Sequence, residues 1–158
     1  MLEIERKFEL VPGREEWRMA TVRSFPIVQG YFSGQGEASV RVRISGDASA
    51  NLNIKSSTVG LRRLEYEYPI PVEEARELLE NFCAGRVVEK TRHLVPAENG
   101  LTWEIDEYHG PFEGHFTAEI EVPDESTAFA RPVWLGAERT GDARFANAAL
   151  AIAQRWPG

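Results

Sequence analysis

The segment Glu3-Ile4-Glu5-Arg6-Lys7-Phe8 spaces two carboxylates and an ammonium two residues apart. In an extended chain, residues i and i+2 lie on one face. The spacing returns at Arg41 and Arg43, Glu65 and Glu67, Lys90 and Arg92, Glu104 and Asp106, and Glu119 and Glu121. Carboxylates grouped without cysteines or paired histidines suit hard, oxygen-seeking cations such as Mg²⁺ or Mn²⁺. Arginines suit two-point capture of phosphate oxygens. For any one pair, a solvated strand face is the ordinary reading. Repetition on six segments, with each sign sorted into same-strand pairs, argues that the charged faces share one interior.

On that reading the inward acids are Glu3, Glu5, Glu65, Glu67, Glu104, Asp106, Glu119 and Glu121, and the inward bases are Lys7, Arg41, Arg43, Lys55, Arg63, Lys90 and Arg92. The two signs nearly cancel, as an enclosed interior requires, because an isolated buried ion is strongly unfavourable. Two divalent ions would turn the lining net positive, a match for a chain of phosphates.

The elements that must carry these residues are strands. Period-2 alternation and turn residues predict eight, at about 2–10, 27–33, 38–45, 51–57, 62–69, 86–94, 101–108 and 115–122. Alternation is cleanest at 38–45, where Val40, Val42 and Ile44 oppose Arg41 and Arg43, and at 115–122, where Phe116, Ala118, Ile120 and Val122 oppose Glu119 and Glu121. Strand 86–94 fits worst: Glu89, Thr91 and His93 oppose Lys90 and Arg92, so its outer face is expected in water. Helical periodicity predicts helices over 14–22 around Trp17, over 72–83 with the stripe Val72, Ala75, Leu78, Leu79 and Phe82, and over 143–155 after an N-cap at Asp142. The last would carry Phe145, Ala149, Ile152 and Trp156 on one side. Gly34 and Gly36 stand between two strands and read as a hairpin turn, not a dinucleotide loop. An eight-stranded antiparallel barrel has room inside for side chains or one small ligand. The pattern implies an inverted one, with charges inward and apolar residues outward beneath helices.

The chain has 158 residues, 42% hydrophobic and 27% charged, enough for one domain over 1–158. A net charge of −7 argues against a general nucleic-acid partner. One cysteine, Cys83, excludes an intrachain disulfide and suits a reducing cytoplasm; it ends an apolar stripe and reads as a packed thiol. No apolar run is long enough for a membrane span or signal peptide. His93, His109 and His115 lack metal-ligand spacing.

Together these residues resemble the CYTH domains of the triphosphate tunnel metalloenzyme superfamily. The resemblance begins with the Glu-x-Glu-x-Lys strand of Glu3, Glu5 and Lys7. It continues through Gln29-Gly30-Tyr31, Val40-Arg41-Val42-Arg43, Leu52-Asn53-Ile54-Lys55 and Arg63-Leu64-Glu65-Tyr66-Glu67-Tyr68. It then runs through Lys90-Thr91-Arg92, Trp103-Glu104-Ile105-Asp106, Ala118-Glu119-Ile120-Glu121, Thr140-Gly141-Asp142 and Arg144-Phe145-Ala146-Asn147. It implies an α+β fold: an eight-stranded antiparallel closed barrel, the tunnel, with helices outside.

By resemblance Lys7, Arg41, Arg43, Lys55, Arg63, Lys90 and Arg92 would hold phosphates. Glu3, Glu5, Glu119 and Glu121 would lead as metal ligands, with Glu65, Glu67, Glu104 and Asp106 as ligands or orienters. Tyr31 and Lys55 match a pair implicated in catalysis in some members, and Tyr31 reads equally well as a hydrogen-bonding wall residue. The pattern would place an apolar residue where Arg139 precedes Thr140. The activity implied is metal-dependent hydrolysis of a small linear triphosphate or polyphosphate, inorganic tripolyphosphate first, with two Mg²⁺ or Mn²⁺ ions and Glu119 and Glu121 among the catalytic groups. Thiamine triphosphatase, class IV adenylate cyclase and a non-enzymatic polyphosphate-binding module stand as alternatives, and either a monomer or a homodimer fits.

Overall fold

The computed structural model describes residues 2–33, 38–46, 48–56 and 62–158, with Leu2, Glu3 and Arg62 described by backbone alone. The expected turn at Gly34 and Gly36 lies outside the described residues. Alternating segments give β1 (Leu2–Leu10), β2 (Arg23–Tyr31), β3 (Ala38–Ser45), β4 (Ser49–Ser56), β5 (Arg62–Ile70), β6 (Val87–Pro96), β7 (Thr102–Tyr108) and β8 (Phe116–Glu121). They run antiparallel in the order β5-β4-β3-β2-β6-β7-β8-β1. A ninth strand, β9 (Leu135–Glu138), which four residues of weak alternation did not announce, adds to β1 at Phe8 and Leu10.

The sheet wraps round on itself, as the sequence implied, but its seam is thin. β1 meets β5 over only Leu2↔Leu64, Glu3↔Arg63 and Ile4↔Arg62, while β2 and β6 pair from Arg23 to Gly30. Further along β1, β9 is the added neighbour, so the wall is not one continuous hydrogen-bonded cylinder.

Apolar side chains do point outward. Ile4, Phe8, Trp103, Ile105, Ala118 and Ile120 form one cluster under Trp17, Phe129 and Trp134, so the segment after β8 folds back as its cover. Val42, Ile44 and Ala50 form another under α2 (Val72–Phe82), whose Ala75 is fully buried. Glu73 and Glu74 favour the first turn of α2 through the helix dipole. Gly30 lets α2 approach β2: a Cβ there would stand 2.6 Å from Leu79 Cδ2 and 2.7 Å from Cys83 Cβ.

Three expectations change. The helix over 14–22 shrinks to one turn, α1 (Trp17–Ala20). The helix over 143–155 is broken: a 3-10 turn at Ala143–Phe145, capped by Asp142, is followed by extended Ala146 before α3 (Asn147–Ala153). The break resets the helical phase, so Leu150 and Ala151 are buried while Ile152 is exposed. The outer face of β6 is not all in water. His93 is buried against Trp17, with ring centroids 5.0 Å apart, and bonds Ser24 Oγ at 2.7 Å and Glu107 at 2.9 Å. Among the described residues no helix is long and apolar enough to cross a membrane.

Candidate active site

A cavity of about 630 Å³ runs inside the wrapped sheet. It is lined by Glu5 and Lys7 of β1, Tyr31 of β2, Arg41 and Arg43 of β3, Lys55 of β4, and Arg63, Glu65 and Glu67 of β5. Lys90 and Arg92 of β6, Glu104 of β7, and Glu119 and Glu121 of β8 add the rest of its strand-borne charges. The period-2 pattern therefore brings the candidate residues to one space. Two stand apart. The Glu3 side chain lies outside the description. Asp106 is fully buried behind the cavity surface, not on it.

The deep wall is a paired ionic core. Lys90 Nζ donates to Asp106 Oδ2 at 2.6 Å, Arg92 Nε to Asp106 Oδ1 at 2.8 Å, and Arg92 Nη2 to Asp106 Oδ2 at 2.9 Å. Burial would raise the Asp106 pKa, but Arg92 and Lys90 outweigh it and hold the carboxyl well below its usual range. Burial disfavours charge on Arg92, yet Asp106 and Glu104 keep it firmly protonated; Arg92 Nη1 reaches Glu104 at 3.1 Å. Burial, with Arg92 and Arg43 nearby, draws Lys90 below the ordinary lysine value despite Asp106.

Next to this wall lies an acidic seam. Register sets Glu5 opposite Glu121 and Glu104 opposite Glu119. Like charges directly opposite destabilise a sheet unless something neutralises them. Lys7 Nζ, bonded to the Phe145 carbonyl at 3.1 Å, is 3.6 Å from Glu119 and offsets only part of the charge. Burial first, then Glu5 beside it, raises the Glu119 carboxyl above its usual range. A carboxylate cluster reluctant to ionise in full is a fit for a divalent cation, which would replace the retained proton. Among the described residues no three acidic, histidine or cysteine side chains already converge as a preformed metal cage.

The cationic side shows the complementary deficit. Arg41 is buried, and its Nε has no hydrogen-bond partner among the described residues. A buried donor without an acceptor is unfavourable, and a phosphate oxygen would relieve it. Arg43 reaches the cavity, and burial with Arg41 and Arg92 close by lowers its pKa to about 9. At the mouth Lys55 and Glu65 lie 3.9 Å apart, and Asn53 Nδ2 donates to Glu65 at 2.9 Å and Glu67 at 3.3 Å.

The family model for the CYTH domain matches residues 1–146. The chain belongs to that family. An inorganic triphosphatase of Acetivibrio thermocellus is 45% identical over 148 residues, covering 94% of this chain and 92% of that one. An inorganic triphosphatase of Nitrosomonas europaea is 35% identical over 154 residues, covering 96% and 98%. Among solved structures, a crystal structure of an inorganic triphosphatase aligns with TM-score 0.69 and 33% identity over 99% of this chain and 97% of that one.

Several residues at the site of this CYTH chain were read in the sequence only as part of the family resemblance, or not at all, and not as site residues. Arg139, Thr140 and Asp142 line one mouth on the loop after β9. Arg139 Nε bonds Glu9 at 2.7 Å and its guanidinium lies 4.8 Å over the Phe145 ring, so a cation–π contact fills the place where the family pattern has an apolar residue. Gln29 and Asn147 bring neutral amides to the deep wall. Gln29 could have been found, since it shares the i, i+2 face with Tyr31. Asn147 could not, because its direction depends on the break at Ala146.

Proposed function

We propose that this chain hydrolyses inorganic tripolyphosphate to diphosphate and phosphate inside the cavity, with Mg²⁺ or Mn²⁺. The observation that carries the reading is the polarised lining: on β3 the buried Arg41 Nε has no hydrogen-bond partner among the described residues, while across β1, β7 and β8 carboxylates face one another and the Glu119 carboxyl is raised. The two relatives named inorganic triphosphatase support it across nearly the whole chain.

In this scheme Arg41, Arg43, Lys55, Arg63, Lys90, Arg92 and Lys7 hold the phosphates extended and offset charge on the transferring group. Glu5, Glu119, Glu121 and Glu104 would hold the metal, with Glu3 as a further ligand, and Glu65 and Glu67 complete the acids near the mouth. Asp106 orients Lys90 and Arg92 and ligates nothing. A bound divalent ion supplies Lewis-acid polarisation of phosphoryl oxygens. The carboxylates of Glu119 and Glu121 orient a water for in-line attack on the terminal phosphorus and accept its proton. The P–O bond to the leaving diphosphate then breaks, and the cations hold that product. The protein works in a reducing cytosol, where its buried thiol, Cys83, stays unpaired.

The test is to incubate purified protein with tripolyphosphate, thiamine triphosphate or ATP, with Mg²⁺, Mn²⁺ or a chelator, and to assay phosphate and cyclic AMP. Metal-dependent phosphate release, fastest from tripolyphosphate, is expected. Undiminished turnover after exhaustive chelation, or cyclic AMP as the main product from ATP, would overturn it.

A further inference from the structure

Two groups at the deep wall can only donate hydrogen bonds, and they set the direction of every bond around them. Arg43 Nε donates to Gln29 Oε1 at 3.0 Å, so the amide nitrogen of Gln29 must face the other way. That nitrogen donates to Tyr31 Oη at 2.9 Å and to Asn147 Oδ1 at 3.1 Å. Lys90 Nζ donates to the same Asn147 oxygen at 3.0 Å, which independently assigns the Asn147 amide. Its nitrogen then donates to Tyr108 Oη at 3.3 Å, and Tyr108 is 3.2 Å from Thr117 Oγ1. An amide's oxygen and nitrogen are alike in shape and are told apart by their hydrogen-bond partners; here two donor-only cations fix the assignment.

The consequence falls on Tyr31. Its oxygen receives a hydrogen bond, so its own O–H is not used on Gln29. No acceptor among the described residues takes it, and Tyr31 lines the cavity. Gln29 is fully buried and touches no cavity space itself. We propose that Gln29 and Asn147 are positioning residues: they fix a one-way hydrogen-bond chain that leaves the Tyr31 hydroxyl proton pointing at the bound phosphate. Tyr31 thereby donates to the substrate, and not back into the wall. Asn147 reaches this chain through the break at Ala146, which turns Asn147, Leu150, Ala151 and Gln154 onto the inner face of α3.

The inference rests on the proposed triphosphate site, and a double-mutant cycle between Gln29→Glu and Tyr31→Phe tests it. Glutamate matches glutamine in shape and still accepts from Arg43, but it offers Tyr31 an acceptor in place of a donor. The hydroxyl would then turn into the wall. Tyr31→Phe is expected to lower kcat and weaken calorimetric binding of tripolyphosphate by roughly tenfold in the wild-type background, the scale of one hydrogen bond. In the Gln29→Glu background the same change should alter either quantity less than about twofold. The added negative charge is present on both arms and cancels in the comparison.

Equal losses in both backgrounds, or no loss from Tyr31→Phe in the wild type, would overturn the proposal. If the wild type binds tripolyphosphate without hydrolysing it, the function reading fails while the binding arm still decides this one. Should Gln29→Glu not fold, as melting would reveal, Gln29→Met removes the donated bond without charge. The Tyr31→Phe effect must then shrink in that background for the proposal to stand.

Discussion

Asp106 and Glu119 lie on neighbouring strands, both buried, and their surroundings drive them in opposite directions. Asp106 receives three hydrogen bonds from Lys90 and Arg92, which hold it ionised against the effect of burial. Burial raises the Glu119 carboxyl, Glu5 beside it and Asp106 nearby add to the effect, and Lys7 at 3.6 Å offsets only part of it. One carboxylate is already neutralised by the fold. The other is left for a cation the fold does not supply. Two acids with separated proton affinities, one lining the cavity and one behind its wall, divide their tasks: Asp106 keeps two phosphate-binding cations rigid, and Glu119 belongs to the metal.

The widest separation between them should appear on substitution. Asp106→Asn takes the hydrogen-bonded counter-ion from buried Lys90 and leaves Arg92 with Glu104 alone among the described residues, and breaking such a group from one side costs about 3–5 kcal/mol. Denaturant unfolding should show this loss. Glu119→Gln relieves a crowded acid and should leave unfolding free energy unchanged or slightly higher. Its turnover should fall by about a hundredfold, on the scale of losing one group that stabilises the transition state. If both variants unfold alike, or both retain turnover, the division is wrong.

Acid should distinguish them next. A carboxyl with a depressed folded-state pKa contributes stability above its unfolded value, near 3.8 for Asp106, and loses it as pH falls below that. A carboxyl with a raised pKa acts with opposite sign: the folded state binds the extra proton, so stability declines as pH rises from the ordinary 4.5 through the raised value. Unfolding free energy against pH should therefore lose its Glu119-linked decline in Glu119→Gln while keeping its steep acid limb. Metal-dependent turnover should drop on acidification, as protons compete for Glu119. A Glu119→Gln profile identical to wild type across this window would sink the assignment.

How much of this contrast was legible in the chain depends on what alternation can report. The i, i+2 spacing assigns a residue to a face, and every charged pair assigned inward whose side chains are described lies in the cavity or directly behind it. Alternation carries no depth, so Asp106 and Glu104 read alike although only Glu104 reaches the cavity. It carries no charge signal for Gln29 or Asn147. The outer face of β6 misled for another reason: Glu89, Thr91 and His93 look solvated until the distant turn bearing Trp17 covers His93. Strand β9 and the broken C-terminal helix likewise depend on contacts remote in sequence.

Arg41 offers a smaller but cleaner effect, because its buried Nε has no partner among the described residues. Arg41→Ala removes no hydrogen bond at that atom, so melting should change little. Tripolyphosphate binding should weaken by about ten- to hundredfold, matching roughly 1.5–3 kcal/mol for a charge-assisted contact. Calorimetric titration measures it. Unchanged affinity would mean that the phosphates avoid β3 and that the cationic half has been misplaced.

The smallest expected effect lies on the outside of the same strand that carries Glu5 and Lys7 inward. Arg6 points away from the cavity and grips Glu138 of β9 with two hydrogen bonds, Nε to Oε2 at 2.6 Å and Nη2 to Oε1 at 2.8 Å. The Arg6 bond is the main cause of the lowered Glu138 carboxyl pKa. In geometry this pair rivals Arg92 with Asp106. Its environment does not: the Arg6 and Glu138 side chains are 17% and 31% exposed, against 8% and 1% for the inner pair. Water and salt screen the outer pair, so Glu138→Gln should lower stability by about 1 kcal/mol or less, diminishing further at high salt. Tripolyphosphate affinity should be unchanged, since Glu138 does not line the cavity. A loss as large as that of Asp106→Asn would mean that pair geometry, not burial within the polarised cavity, sets the energetics of this protein.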